Sequence, residues 1–533
     1  MCGSLSRLQA PHFLLVLVLV VVMPRCWRMT SSRAAPEASA QTFPQLKVNP
    51  SEPQVLGRCS WTPAEDAKDS PVMGKNLLTA PGGVDVLSVT GKDAKTPSKN
   101  KDVLYRPLML IRLTLRLLGI VPYTYSRTLQ EYVLAWRSVA ALHTLLVFAW
   151  LTTLLITTSV GLVRMFLRSQ FLDKSSESHE TELLGVVIIV GCLLNAWVEV
   201  LNVVLYGHPI CKFLNQWKVL VAETSLDPTK GLRVSSIVHA LFLYAFVIAV
   251  LVVAVIGPPD KLMDIVDLLA QVLFMVSPEW LRQGTPSVQV VRVVVGVVVG
   301  HLYMVYKGSL FLFVSICQML YNVFNCWRHQ LTSTLEAAWT NGEAVHLNHG
   351  PVHTGQVVEM SQLVQSHWQM VQMVRETETI FSSTLQCFYA TQVVTLCLEL
   401  YLIAYRIGIG AGYHGQEAVW QTLIMVQTCI VFFLVSLKAS RVGEEAETSV
   451  DVLRRGLPYT ASDKNKFHFR ELTVALTSSP VCITGGRFFT INRPFIITVV
   501  GAVLSYFIIV LQLKLPSVSQ ERALLAADNS TGV

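Results

Sequence analysis

Seven stretches of this chain are long and apolar enough to cross a bilayer, and nothing else in the sequence limits the fold as tightly. A helix crossing the ~30 Å hydrocarbon layer needs about 20 apolar residues. Residues 138–163, 237–256, 418–437 and 494–513 qualify without a single charge; 183–206 carries only Glu199 and 380–405 only Glu399. A further run, within residues 293–324, is longer than one crossing needs and contains Lys307. Only helices or closed barrels satisfy the backbone inside hydrocarbon, and these runs are too long and continuous for barrel strands. The expected fold class is an all-α membrane protein with seven transmembrane helices. Composition agrees: 52% of the 533 residues are apolar and 14% charged, against about a quarter charged in soluble domains. That excludes a disordered chain and argues against a soluble enzyme. There is no internal repeat and no inverted pair of broken helices, which weighs against a secondary transporter.

The first hundred residues are of a different kind. Residues 13–23 form an apolar run after Arg7. At 1.5 Å per residue it reaches about 16 Å, too short to span. It has the look of a signal-peptide core, yet Pro24, Arg25 and Arg28 follow it, and the small-residue site Ala38-Ser39-Ala40 lies far downstream. Residues 30–101 are rich in Pro, Ser, Ala, Lys and Asp, lack periodicity and read as disordered. Lys and Arg accumulate in cytoplasmic loops. With the N-terminus inside, the inner segments hold twenty of them and the outer segments nine. This places the N-terminus in the cytoplasm and the C-terminus outside, where the one usable N-glycosylation sequon, at Asn529, also falls. A cleaved signal would start the first span from the other side, so the two readings conflict, and the loop charges take precedence. The expected organisation is an N-terminal extension (1–100), a cytoplasmic pre-helix segment (101–137) and a six-helix bundle (138–437) with helix extensions at about 325–379. A cytoplasmic anchor segment (438–490), a seventh helix (491–513) and an extracellular tail (514–533) follow.

Chemistry-bearing motifs are scarce. Eleven cysteines are scattered, mostly within apolar runs, with no C-x-x-C pair, so a metal or redox site has little support. H-E-x-x-H, G-x-S-x-G and P-loop patterns are absent, which argues against an enzyme, and no cofactor is implied. No basic block of five or more points to nucleic acid. A G-protein-coupled receptor would have the opposite topology and would usually carry a D-R-Y-like triplet and an N-P-x-x-Y. Neither occurs, and Asn492-Arg493-Pro494 precedes the last span instead of lying within it.

The last span carries a motif. Ser505-Tyr506 is followed by five apolar residues and then Gln512-Leu513. This resembles the seventh-helix signature of insect gustatory receptors, Thr-Tyr, five apolar residues, Gln-Phe, with Ser for Thr and Leu for Phe. The family is related to insect odorant receptors. Gly485-Gly486-Arg487-Phe488-Phe489 matches the stretch that usually precedes that helix, and Leu117-Leu118-Gly119-Ile120-Val121-Pro122 gives a weaker match before the first span. With the seven spans and the inverted orientation, the resemblance extends over residues 105–515.

The resemblance implies a multi-pass receptor of the plasma membrane that is a ligand-gated cation channel. Its partners would be a small-molecule tastant, permeating cations, membrane lipid and related subunits in a homo- or heterotetramer. The last helices would line one central pore. By motif position, Gln512 becomes a polar ring and Ile509 and Leu513 an apolar gate that blocks by dewetting. Gln512 could equally make an interhelical hydrogen bond, and Ile509 and Leu513 could face lipid. The stretch Val357, Met360, Leu363, Val364, His367, Val371 and Val374 follows one face of a helix, seeking a partner in another subunit or its own.

Polar residues at membrane depth usually face a cavity or a partner. Asn195, Glu199 and Asn202 share one helical face, and Gln392, Glu399 and Arg406 recur every seven residues. His301, Tyr303, Tyr306, Lys307, Glu399, Trp420 and Gln421 fall in the outer half and are the candidate ligand pocket; the alternative is a structural polar network. Sugar-receptor-like members tend to carry an acidic residue after the Thr-Tyr pair; Phe507 stands there, which directs the ligand class away from sugars.

Overall fold

The computed structural model describes residues 108–512, apart from 127, 130, 172–177, 225–227, 230, 257–261, 282–285, 348–359, 410–414, 455, 457–462, 479–480 and 510. The N-terminal extension, Val357, Leu513, Asn529 and the C-terminal tail lie outside these residues.

A short helix α1 (Met109–Leu117) leads into a small hairpin, β1 (Thr124–Ser126) and β2 (Glu131–Val133), paired antiparallel with Tyr125 opposite Tyr132. Then come α2 (Val139–Phe171), α3 (Ser178–Thr224), α4 (Leu232–Ile256), two shorter helices α5 (Leu262–Phe274) and α6 (Pro278–Leu281), α7 (Pro286–Leu347), α8 (Met360–Ile409) and α9 (Gly415–Leu453). Helix α10 (Asp463–Ser478) and a second hairpin, β3 (Thr484–Gly485) and β4 (Phe489–Thr490), precede the final helix α11 (Arg493–Ile509). Among the described residues six helices, α2, α3, α4, α7, α8 and α9, are long and apolar enough to cross a membrane, and α11 is a shorter apolar seventh. The chain is an all-α membrane protein.

The over-long fourth run belongs to a single helix of 62 residues, about 93 Å at 1.5 Å per residue. Both α7 and α9 continue past their apolar stretches below the bundle, the lower end being that at which α2 starts. Ser138 caps α2, its Oγ accepting from the Ala141 amide at 3.2 Å.

Packing between spans cannot rest on apolarity alone, because lipid is as apolar as leucine; small residues and hydrogen bonds select the neighbours. Helices α3 and α8 run antiparallel, joined by Asn195 Nδ2 donating to Thr391 Oγ1 at 2.6 Å and Asn202 Nδ2 to Thr384 Oγ1 at 2.9 Å. Gly191 allows that approach: a Cβ there would come within 2.9 Å of Thr391 Cγ2. Below the apolar zone, α8 lies against α7. Met360, Leu363, Val364, His367, Val371 and Val374 are all buried, and Trp327 Nε1 donates to Leu363 O at 3.1 Å. The amphipathic stripe therefore meets its own α7. Arg328 pairs with Glu445 at 2.7 Å, tying α7 to α9 on the same level. Toward the upper end, Arg292 of α7 grips Asp267 of α5 through two bonds of 2.8 and 2.7 Å.

Candidate functional site: the final helix and the buried polar seam

The Gly485-Gly486-Arg487-Phe488-Phe489 stretch forms the second hairpin. The Phe488 amide donates to Gly485 O at 3.0 Å, and Gly486 and Arg487 hold φ near +64° and +63°. Two consecutive left-handed residues mark a primed turn, whose twist suits a tight hairpin. The Gly486 amide also donates to Ser382 O at 3.1 Å, and Thr484 Oγ1 donates to Glu378, so the hairpin is pinned to α8. Phe489 then stacks on Phe495 with ring centroids 4.6 Å apart, and both rings abut the edge of Tyr389, whose hydroxyl lies 2.9 Å from Ser436 Oγ of α9.

Asn492 begins the last helix. Its Oδ1 accepts from the Phe495 amide at 2.9 Å, an N-cap that explains why Asn492-Arg493-Pro494 precedes the span. Arg493 holds Glu444 of α9 by two bonds of 2.7 Å. From there α11 touches its own bundle along one side only. Ile496 and Val503 are buried, and Val499, Val500 and Phe507 are half-buried. On the opposite side, by the 3.6-residue period, lie Thr498, Gly501, Ser505, Ile508 and Gln512, all exposed. Ile508 and Ile509 are 53% and 54% exposed, and Tyr506 is also exposed. Of the motif positions, Ser505, Tyr506, Ile509 and Gln512 thus reach the surface of the subunit.

The polar residues inside the bundle form a seam. Glu199 accepts from Ser309 Oγ at 2.5 Å and Thr384 Oγ1 at 3.1 Å, joining α3, α7 and α8. Lys307 Nζ sits 4.2 Å above the Tyr306 ring and 3.5 Å from Gln392 Oε1, while Gln392 Nε2 donates to Thr428 O at 3.2 Å. Gln427 donates to the Tyr303 hydroxyl, and Tyr303 stacks on Phe246 at 4.1 Å. His301 meets Trp150 edge-on at 5.1 Å. Glu399, two turns above Gln392 on α8, is 2% exposed, and its Oε2 has no hydrogen-bond partner among the described residues. Trp420 and Gln421 fall in the first turns of α9, and their side chains, like that of Arg406, lie outside the description.

A cavity of about 50 Å³ lies lower in the seam, lined among others by Tyr123, Glu199, Asn202, Trp217, Ser309 and Thr384. None of the candidate pocket residues whose side chains are described, His301, Tyr303, Tyr306, Lys307 and Glu399, lines it. Its volume suits a few water molecules. Trp217 Nε1 is buried on its wall without a hydrogen-bond partner among the described residues. Sequence reasoning found Glu199 and its two asparagines but not Ser309, Thr384 and Thr391, which receive them. The seven-residue spacing of Thr384 and Thr391 on α8, equal to that of Asn195 and Asn202 on α3, was the available signal.

A search of the curated proteins finds no match. Among solved structures, the chain is similar to the insect olfactory receptor OR5 from Machilis hrabei, with a TM-score of 0.52 and 16% identity over 78% of this chain and 100% of that one. It is equally similar to the same receptor in complex with eugenol, with a TM-score of 0.50, 16% identity and the same coverage. At that identity the likeness speaks for the fold. A family model described as 7tm Chemosensory receptor matches residues 110–515. The chain belongs to the 7tm chemosensory receptor family.

Proposed function

We propose that this chemosensory receptor is a gustatory receptor acting as a ligand-gated, non-selective cation channel for a small-molecule tastant outside the sugar group. It sits in the plasma membrane with its N-terminus in the cytoplasm, as a homo- or heterotetramer whose α11 helices surround one pore. The lower end of the bundle is then cytoplasmic.

The observation that carries this reading is the side of α11 that its own bundle leaves bare. A span facing lipid is expected to present large apolar side chains there, because polar groups in hydrocarbon are costly. Instead Thr498, Gly501, Ser505 and Gln512 alternate with Ile508 on that side. Small and hydroxyl residues let helices approach closely, and a polar amide beside apolar residues suits a wetted axis with a constriction that closes by dewetting. Gln512 supplies the polar ring, and Ile509 with Leu513 the apolar one. The Ser505-Tyr506 and Gln512-Leu513 motif supports taste over smell. For the ligand, His301, Tyr303, Lys307 and Glu399 mark the upper seam, with Trp420 and Gln421 near the start of α9; eugenol in the olfactory relative supports a small organic molecule in this fold.

Whole-cell recording of the protein expressed alone tests the reading. Tastant-evoked cation current is expected, with Gln512→Glu raising relative divalent permeability. Absence of current at confirmed surface expression, or unchanged selectivity in Gln512→Glu, overturns it. Epitope tags at both ends of intact cells check the orientation.

A further inference from the structure

Helix α1 presents three distinct sides. Ile111, Thr114, Leu115 and Leu118 are buried against the bundle. Thr114 Oγ1 lies 2.9 Å from the Tyr244 hydroxyl, midway along α4. Leu115 packs over Gly308 of α7, where an added Cβ would come within 2.9 Å of Leu115 Cδ2. These contacts set α1 beside the apolar stretches of two spans, not beyond their ends. The second side is apolar and bare: Met109, Leu113 and Leu117 follow one another every four residues with Leu110 beside them, Leu113 and Leu117 being 51% and 66% exposed. Val238 and Leu241 of α4, the helix that Thr114 reaches, are exposed as well. The third is an edge between the other two, formed by Arg112 and Arg116 four residues apart. Arg116 is exposed; Arg112 is half-buried beside Tyr123.

We propose that the Arg112–Arg116 edge binds the headgroup phosphate of an anionic phospholipid whose acyl chains lie along Leu113 and Leu117. The exposed Arg116 guanidinium is costly at membrane depth unless its long stem carries it to the headgroup layer. There its planar fork matches phosphate oxygens bidentately. Two arginines four apart stand one turn from each other on the same helix edge, a spacing that a single phosphate can bridge. The adjoining leucines supply the apolar floor that a lipid needs and a free phosphate does not. A zwitterionic lipid brings its own cation to the site, so a net-negative headgroup is preferred. The proposal does not depend on channel activity or on which side of the membrane the N-terminus lies.

The test uses the full-length receptor in phosphatidylcholine nanodiscs containing a minor share of phosphatidylserine, with retained lipid counted by native mass spectrometry. Phosphatidylserine is expected to be enriched on the receptor by about tenfold over its bulk share. Arg112→Gln with Arg116→Gln should abolish the enrichment, and Arg112→Lys with Arg116→Lys should keep part of it. No enrichment on the native protein, or undiminished enrichment on the double glutamine variant, overturns the proposal. Should that variant fail to fold, a benzophenone side chain at position 117 of the otherwise native chain decides. A light-induced adduct with phosphatidylserine supports the site; an adduct with a second receptor chain, or none with lipid, overturns it.

Discussion

Glu199 is held by hydroxyls from two neighbouring helices, so its removal takes from the Ser309 and Thr384 hydroxyl protons the acceptor they share in an apolar interior. Such a loss costs about 1–3 kcal/mol in a soluble protein, and membrane measurements favour the lower end. Glu199→Ala is expected to lower the melting temperature of the solubilised receptor, read by size-exclusion recovery after heating. Glu199→Gln, which keeps an acceptor oxygen, should lose clearly less. Gly486 gives a second residue-level expectation. Its left-handed φ and the closeness of Gln386 Oε1, 2.7 Å from an added Cβ, make Gly486→Val cost about 2 kcal/mol; the same melting assay with no loss would contradict it. The carboxylate and its two asparagines were readable from spacing alone. Their hydroxyl partners were not, since serine and threonine in helices commonly bond their own preceding turn, as Thr377 does to Met373 O at 2.8 Å and Ser366 to Gln362 O at 2.7 Å.

At the level of elements, α11 is anchored by an aromatic wedge and an exposed ion pair, and magnitudes rank them. The Arg493–Glu444 pair is solvated, its side chains 70% and 34% exposed, so a double-mutant cycle should give a coupling smaller than the loss from truncating the ring. Phe495→Ala removes a ring stacked on Phe489 and abutting Tyr389, a loss of about 2 kcal/mol. A cycle in which the ion pair outweighs the ring would reverse this ordering. The two sides of α11 yield a further expectation. Ser505→Cys should react with a water-soluble thiol reagent, and Val503→Cys, buried against the bundle, should be protected; equal reactivity would show that the helix is turned otherwise. The start of α11 and the amphipathic stretch of α8 were legible because caps and period are local. The β1–β2 hairpin was not, because Asn215, far away on α3, holds it: Asn215 Oδ1 accepts from the Tyr132 amide at 2.8 Å and its Nδ2 donates to Tyr132 O at 3.2 Å.

For the whole molecule, the apolar helices were visible in the chain, six long enough to span and a shorter seventh, and their neighbours were not. Val426, Ile430 and Phe433 of α9 are exposed while Val431, Phe432 and Val435 are buried, yet hydropathy treats them alike, because lipid and protein interior are equally apolar. Below the apolar zone water restores the distinction, and there the stripe from Met360 to Val374 could be read with two possible partners. The structure gives it α7, with Trp327 fully buried at the junction. Trp327→Ala should therefore cost about 3–5 kcal/mol, seen as loss of monodisperse receptor on gel filtration; a conservative Trp327→Phe should retain most of it.

Helix α9 is an unbroken beam. Gln427, which reaches Tyr303 in the polar seam, and Glu444, which grips the start of α11, stand on one rigid rod about 25 Å apart. No proline interrupts the rod between them, and Gly443, beside Glu444, is held close against the Val481 carbonyl. A displacement of the upper seam is therefore expected to be felt at the root of the final helix, and Gln427→Ala combined with Glu444→Ala in a double-mutant cycle on channel opening would read that coupling.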